Sequence, residues 1–153
     1  MVNRKGVIAV MLFFVLALFA AVADAAEEKV DLRGKLWERV KGEAIIKDVE
    51  EGQKQISIEA NNLEPNSVYT VWFVNEKPQM DMAGVGEADY SFKTDAEGRG
   101  EFTATVSSEE IRNWEKLEVA YHPDGNPSNM KDIKITLKGD LEKVQEKGEE
   151  SGG

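Results

Sequence analysis

The feature that most constrains this chain is an alternation of apolar and polar side chains with a period of two, which persists from residue 40 to residue 137. Successive side chains of a β-strand point to opposite faces of the sheet, so this period is typical of strands with one buried face. Short clusters of Gly, Pro, Asn and Asp interrupt the alternation and mark turns. The sequence therefore predicts an all-β domain.

The alternation divides into seven runs, each of ordinary strand length. Glu51 and Gly52 join the first run to the second, which predicts a hairpin. The Gly-containing turn at residues 95–100 joins the fourth run to the fifth and predicts a second hairpin. The predicted strands cover residues 40–49, 55–63, 68–75, 90–94, 101–106, 117–121 and 133–137.

The third predicted strand differs from the others because it is apolar on both faces, and Trp72 is its largest side chain. A strand of this kind lies in the middle of a sheet and is buried on both sides. In the last two strands, the alternation predicts that Leu117, Val119 and Tyr121, and Ile133, Ile135 and Leu137, point inward. Seven short strands with this pattern favour an immunoglobulin-like Greek-key sandwich.

One short helix interrupts the predicted strands. Ser107, followed three residues later by Glu110, forms a capping box between strands five and six, where it is expected to start a helix that plugs one end of the sandwich. Trp114 follows this helix. If its ring is exposed it is a candidate binding residue, because aromatic side chains concentrate at interfaces, and packing against the core is the alternative.

The N-terminus carries the three-part layout of a secretory signal peptide. Arg4 and Lys5 precede an apolar run over residues 7–23, and the small residues Ala23 and Ala25 end it. This layout predicts cleavage after Ala25 and a periplasmic or extracellular protein. The alternative is an uncleaved anchor, because the 17 apolar residues lie at the short limit for a membrane span. We expect contact with a membrane only in that case.

The remaining chain divides into three parts. Residues 26–39 are an N-terminal segment in which Leu32, Leu36 and Trp37 have helix-like spacing, but the segment is too short to assign. Residues 40–139 form the predicted sandwich domain. Residues 140–153 consist mostly of Glu, Lys and Gly and are expected to be disordered.

The amino-acid composition excludes several classes of catalytic and metal-binding site. The chain has no cysteine and one histidine, which excludes thiol nucleophiles and sites built from several histidines. The sequence contains no Gly-x-Ser-x-Gly elbow for a nucleophilic serine. A net charge of −10 disfavours nucleic acid as a partner. We therefore expect a non-catalytic binding or structural module without a cofactor, whose partner is an envelope or surface protein.

Four residues fit the pattern Leu-x-Pro-x-x-x-Tyr-x-x-Trp, which resembles that of the extracytoplasmic domain of anti-sigma-K-type factors. An Asp-x-x-Gly hairpin at residues 95–98 and a Val-x-x-x-Pro-x-Gly-x-Pro turn at residues 119–127 extend the resemblance. It implies an exported immunoglobulin-like sandwich. Those factors carry a sigma-binding segment ahead of a membrane helix, whereas six residues precede the apolar run here, so a sigma-regulating role is not expected. The pattern is carried by Leu63, Pro65, Tyr69 and Trp72.

Copper binding is the alternative function. Met80 and Met82 lie in the predicted loop over residues 76–89, and His122 and Met130 lie in the one over residues 122–132. Thioether sulfur and imidazole are ligands suited to copper, especially Cu(I). Alternating strand directions place the two loops at opposite ends of the domain, unless a further short strand in the first loop restores the parity. The alternative is therefore a copper carrier or sensor.

Overall fold

A computed structural model describes residues 26–87 and 89–141. The predicted signal peptide and the predicted tail beyond Leu141 lie outside the described residues. The described part contains nine strands and one short helix. In chain order these are β1 (Glu27–Gly34), β2 (Lys41–Glu50), β3 (Gln53–Asn61), β4 (Val68–Asn75), β5 (Asp81–Gly84), β6 (Ser91–Lys93), β7 (Gly100–Ser107), α1 (Ser108–Arg112), β8 (Lys116–His122) and β9 (Lys134–Asp140).

The nine strands form one curled, half-barrel sheet in which neighbouring strands are antiparallel. The strand order is β5, β4, β8, β9, β1, β2, β3, β7, and β6 pairs with β4 beside β5. The all-β prediction is confirmed, and each of the seven predicted strands is present. The predicted seven-stranded immunoglobulin-like sandwich is corrected to nine strands in a single sheet, because β1 and β5 were not recognised.

Strand β1 lies in the segment that could not be assigned from the sequence. Val30 and Leu32 are buried, and the side chains between and beside them are exposed, so the segment has the period of a strand. It pairs with β2 along seven residues and with β9 at Arg33 and Gly34. Residues 26–39 therefore contribute a strand to the same sheet as residues 40–139.

Strands β5 and β6 follow each other along one edge of β4. Strand β5 pairs with residues 72–75 and β6 with residues 68–70, while β8 occupies the other edge. The predicted hairpin between the fourth and fifth runs is wrong, because β6 pairs with β4 and β7 pairs with β3. Contact between them is made by side chains instead, with the rings of Phe92 and Phe102 6.4 Å apart. The predicted hairpin of β2 and β3 is confirmed.

The curl encloses the main core, and β4 carries a second, smaller cluster on its other face. Val71 and Phe73 point into the main core, whereas Trp72 and Val74 join Ala120 in the smaller cluster, which we call the outer cluster. The prediction that β4 is buried on both faces is therefore confirmed. The main core includes Leu32, Ile46, Ile58, Phe73, Leu117 and Leu137.

A β-bulge between β8 and β9 moves two predicted core residues to the outer face of the sheet. Leu137 pairs with Val119, but the next residue of β8, Ala120, pairs with Ile135. The additional residue on β9 reverses the face to which Ile135 points. Ile133 and Ile135 therefore pack against the outer cluster rather than beside Leu137, as predicted.

The helix predicted after Ser107 is present, and the Ser107 side chain caps it. Helix α1 begins at Ser108, and the hydroxyl of Ser107 accepts a hydrogen bond of 3.0 Å from the backbone N–H of Glu110. Ile111 is the buried residue of the helix and joins the main core. The helix connects β7 to β8, which are the fifth and sixth of the predicted strands.

Candidate functional site

The outer cluster lies on the outer face of β4 and β8, and the residues that directly follow the two predicted functional loops, Tyr90 and Ile133, pack against it. Tyr90, at the end of the first loop, contacts Trp72 with a ring separation of 4.8 Å. Its ring lies over Gly84, where any side chain would collide with it. Ile133, at the end of the second loop, packs against the same cluster. Both loops are therefore attached to one face of the sheet.

Three buried polar side chains form a chain of hydrogen bonds within this face. The Thr70 hydroxyl oxygen accepts a hydrogen bond of 2.7 Å from Trp72 Nε1 and lies 2.7 Å from His122 Nε2. Thr70 is fully buried and His122 is 1% exposed. Among the described residues, His122 Nδ1 is a buried atom without a hydrogen-bond partner.

The loop that follows His122 is ordered by its own polar side chains. The backbone N–H of Asn126 and the side-chain amide of Asn129 donate to the Asp124 carboxylate and hold its pKa below the usual range. The Asn126 and Asn129 side chains in turn accept from the backbone two residues further on. This succession of turns explains how an Asp- and Asn-rich segment keeps a defined shape without regular secondary structure.

The methionines of the copper hypothesis lie at the surface of these loops. Met80 is 71% exposed, Met82 36% and Met130 42%. Met82 is opposite Val74 on β4, whereas His122 is opposite Val68. Six residues of strand separate these two positions, which is roughly 20 Å.

The further strand in the first loop does not restore the parity that a shared site requires. Strand β5 runs antiparallel to β4, and β6 continues in the same direction. Met80 and Met82 therefore lie near one end of β4, and His122 lies at the other. Met130 follows His122 in the second loop. Met130 is therefore at the same end of the sheet as His122, and Met80 and Met82 are at the other end of β4. The backbone does not bring all four residues together.

Trp114 contacts the core. Its ring is stacked on Phe73 with a centroid distance of 5.9 Å and an interplanar angle of 8°. The side chain is partly buried. One face of the Trp114 ring therefore packs on the core, which was the alternative to a binding role.

An ion-pair cluster beside the outer cluster was not recognised in the sequence. The Glu76 carboxylate accepts from Lys116 over 2.8 Å and from Lys138 over 2.5 Å, and these hydrogen bonds lower the Glu76 pKa to about 2. Lys138 also pairs over 2.9 Å with Glu118, which is 6% exposed. Glu118 lies opposite Trp72 on β4. These ion pairs join the end of β4 to β8 and β9. They could not be predicted from the alternation of charged residues within each strand, because they depend on how the three strands are aligned.

Two classes of site are not found in the described part of the chain. Residues 26–87 and 89–141 contain no group of three or more His, Cys, Asp or Glu side chains arranged to hold a metal. Within the same residues, no helix has the length and apolar character needed to cross a membrane.

Comparisons with known proteins identify no family for this chain. No protein-family model matches the chain, and no curated protein matches it at a significant level.

Proposed function

We propose that this protein is an exported, non-catalytic binding module that presents two methionine-bearing loops from one face of its sheet. The observation that carries the proposal is the position of the exposed apolar side chains. Five large apolar residues are exposed in the described part, and three of them are Met80, Met82 and Met130. Methionine adapts its shape to irregular partner surfaces, so exposed methionines on the two loops are suited to contact with a partner.

Attachment of both loops to the outer cluster supports this proposal. Tyr90 and Ile133 pack at the loop ends, so the methionines are displayed from backbone that is tied to a buried layer. A preformed surface loses less conformational entropy when it binds a partner. The pattern that includes Tyr69 and Trp72 resembles that of exported anti-sigma-K-type domains, and this resemblance of fold agrees with a protein outside the cytoplasm.

A paired substitution tests the proposal. Met130 and Val49 are both 42% exposed, but Val49 lies on β2, away from the two loops. We expect the protein, immobilised and exposed to envelope extract of its native host, to retain a partner in wild type and in Val49→Asp. Met130→Asp and Met82→Asp are expected to lose that partner while their unfolding midpoints stay within the range of Val49→Asp. A partner that all variants retain equally would contradict a role for the loops.

Copper binding by Met80, Met82, His122 and Met130 is the second candidate. Two observations favour it: the exposed thioethers, and the buried His122 Nδ1 that has no hydrogen-bond partner among the described residues. A single ion bound by all four residues would require the first loop to leave its position at the far end of β4.

A further inference from the structure

A cavity of about 350 Å³ opens at the end of the sheet where β1 and β3 end and β4 begins. Its lining includes Leu63, which is buried, and Pro65, which is exposed. Its wall contains one large aromatic side chain, Trp37, which is partly buried and tilted against Tyr121 at a ring separation of 6.1 Å. Small-molecule sites commonly occupy cavities of this size at the mouths of β-barrels.

Hydrogen bonds between three loops hold the rim of this cavity, which we call the mouth cavity. The Asn62 side-chain amide donates to the Arg39 carbonyl over 3.0 Å and joins the loop after β1 to the end of β3. The backbone N–H of Leu63 donates to the Gly98 carbonyl over 3.0 Å. Gly98 has φ +78° and lies so close to the Leu63 backbone that any side chain would collide with it. The rim is therefore fixed before a ligand arrives.

Contacts of the same kind fix the segment that carries Glu64. The Thr94 hydroxyl donates to the Glu64 carbonyl over 2.6 Å, and the Glu64 N–H donates to the Tyr69 hydroxyl over 3.0 Å. Burial raises the pKa of Tyr69 to about 12, so its hydroxyl keeps its proton at neutral pH. The Asp95 carboxylate accepts from the N–H of Glu97 and positions the opposite side of the cavity.

The charged residues that line the mouth cavity have opposite signs. Arg39 supplies only donors, whereas Glu64 and Glu97 supply only acceptors. None of the three makes an ion pair with another residue of the described part. The Asn62 amide adds an acceptor oxygen and a second donor hydrogen.

This set of groups selects among ligand classes. An anion would be repelled by the two carboxylates, and the attraction of these carboxylates for a cation would be opposed by the Arg39 guanidinium, so neither charged class is fully matched. Hydroxyl groups both donate and accept, and they suit a wall that offers both kinds of partner. An indole ring beside such groups provides an apolar surface for the C–H face of a sugar ring. A neutral saccharide satisfies both requirements.

We infer that the mouth cavity is a binding site for a neutral saccharide, with Trp37 as the apolar platform and Arg39, Asn62, Glu64 and Glu97 as hydrogen-bonding partners of its hydroxyls. This inference goes beyond the loop surface proposed above and uses different residues. It requires the protein to be a binding module, but it does not depend on Met80, Met82 or Met130.

The test follows the Trp37 indole N–H by nuclear magnetic resonance in protein produced from the full chain. The resonance is assigned with Trp37→Phe, since the chain has two other tryptophans. The probes are neutral oligosaccharides of glucose, mannose, galactose and N-acetylglucosamine. Matched charged probes are a glucosamine oligomer and a sulfated oligosaccharide. We expect at least one neutral probe to shift the Trp37 signal with a saturable titration, the sulfated probe to bind at least about tenfold more weakly, and the glucosamine oligomer to bind no more tightly than the neutral probe.

Variants locate the site, and their affinities are measured by calorimetric titration because Trp37→Ala removes the indole N–H signal. Trp37→Ala is expected to weaken the neutral probe by about tenfold or more through loss of stacking. Glu97→Gln is expected to weaken it by about threefold to tenfold, because it removes the carboxylate charge that strengthens one hydrogen bond. Because Trp37 also packs on the core, Glu97→Gln at an exposed position keeps the test valid if Trp37→Ala does not fold. The matched control is Glu101→Gln, which is exposed on β7, and it should bind as wild type does.

Three results would overturn the inference: no neutral probe binds, a charged probe binds more tightly, or binding persists unchanged in Glu97→Gln. Met82→Asp should bind the saccharide as wild type does. Loss of a protein partner in Met82→Asp with intact saccharide binding would separate the two proposals, as would the opposite pattern in Glu97→Gln.

Discussion

Trp72 Nε1 and His122 Nε2 meet at the same oxygen atom, the Thr70 hydroxyl, at 2.7 Å each. The register of the sheet explains this convergence, because Thr70 and Trp72 share the outer face of β4 and His122 ends the neighbouring strand β8. Both ring nitrogens are thereby satisfied within a buried layer. We therefore expect this oxygen to contribute to the stability of the outer face.

The first prediction concerns Thr70→Val, which removes the hydroxyl and keeps the shape of the side chain. Two buried ring nitrogens then lose their partner, and each unsatisfied group costs about 1–3 kcal/mol. We expect the free energy of unfolding to fall by about 2–4 kcal/mol in urea denaturation. Thr103→Val, at an exposed position on β7, should change it by less than about 0.5 kcal/mol. Equal stability of the two variants would contradict the role of the hydrogen bonds.

The second prediction concerns the size of the outer cluster. Trp72 is 7% exposed and contacts Tyr90. Trp72→Ala should lower the free energy of unfolding by about 3–5 kcal/mol, because it leaves a cavity beneath the first loop. Leu36→Ala serves as the control, since Leu36 is 45% exposed. A fluorescence maximum typical of fully hydrated indole, in a variant that retains only Trp72, would also contradict burial.

The strands that were predicted from sequence are those whose signal is local. Residues 55–63 and 101–106 alternate cleanly, and both form strands close to the predicted bounds. The capping box at Ser107 and Glu110 lies within four residues and was also recognisable. Strand β5 contains only Asp81–Gly84, which has too few residues for a period to be detected.

Strand pairing and the assembly of the site could not be predicted, because they depend on contacts between distant parts of the chain. Strand β6 precedes a turn that suggests a hairpin with β7, yet it pairs with β4. The bulge opposite Val119 and Ala120 leaves no mark in the sequence but moves Ile135 to the outer face. The contact between Thr70 and His122 depends on the register of β4 and β8, so it could not be predicted from the sequence of either strand alone.

The third prediction uses the lowered pKa of Glu76. Two lysine ammonium groups, Lys116 and Lys138, hold this pKa at about 2 instead of 4.5. A carboxyl group with a lowered pKa in the folded state contributes stability above its ordinary pKa, and the contribution is lost as pH falls toward the folded-state value. Wild type should therefore exceed Glu76→Gln in unfolding free energy above about pH 5, and the difference should shrink between pH 4.5 and 2. Parallel pH profiles for the two proteins would contradict the ion-pair cluster.

The last prediction separates copper binding from a purely protein-binding role. If copper is the ligand, the protein should bind one equivalent of Cu(I) in competition with a Cu(I) chelator, because thioethers select this ion over Zn(II) and Mg(II). Replacing Met80 and Met82 with Leu, or Met130 with Leu, keeps apolar character and approximate volume, so the free energy of unfolding should change by less than about 1.5 kcal/mol. If one ion joins both loops, each variant must lose affinity, although β4 holds Met82 and His122 at opposite ends. Affinity lost only in Met130→Leu would restrict the ion to the loop after His122 and contradict a four-residue site. Unchanged affinity in both variants, or no binding tighter than about micromolar, would exclude copper as the ligand of these methionines and leave their exposed side chains to a protein partner.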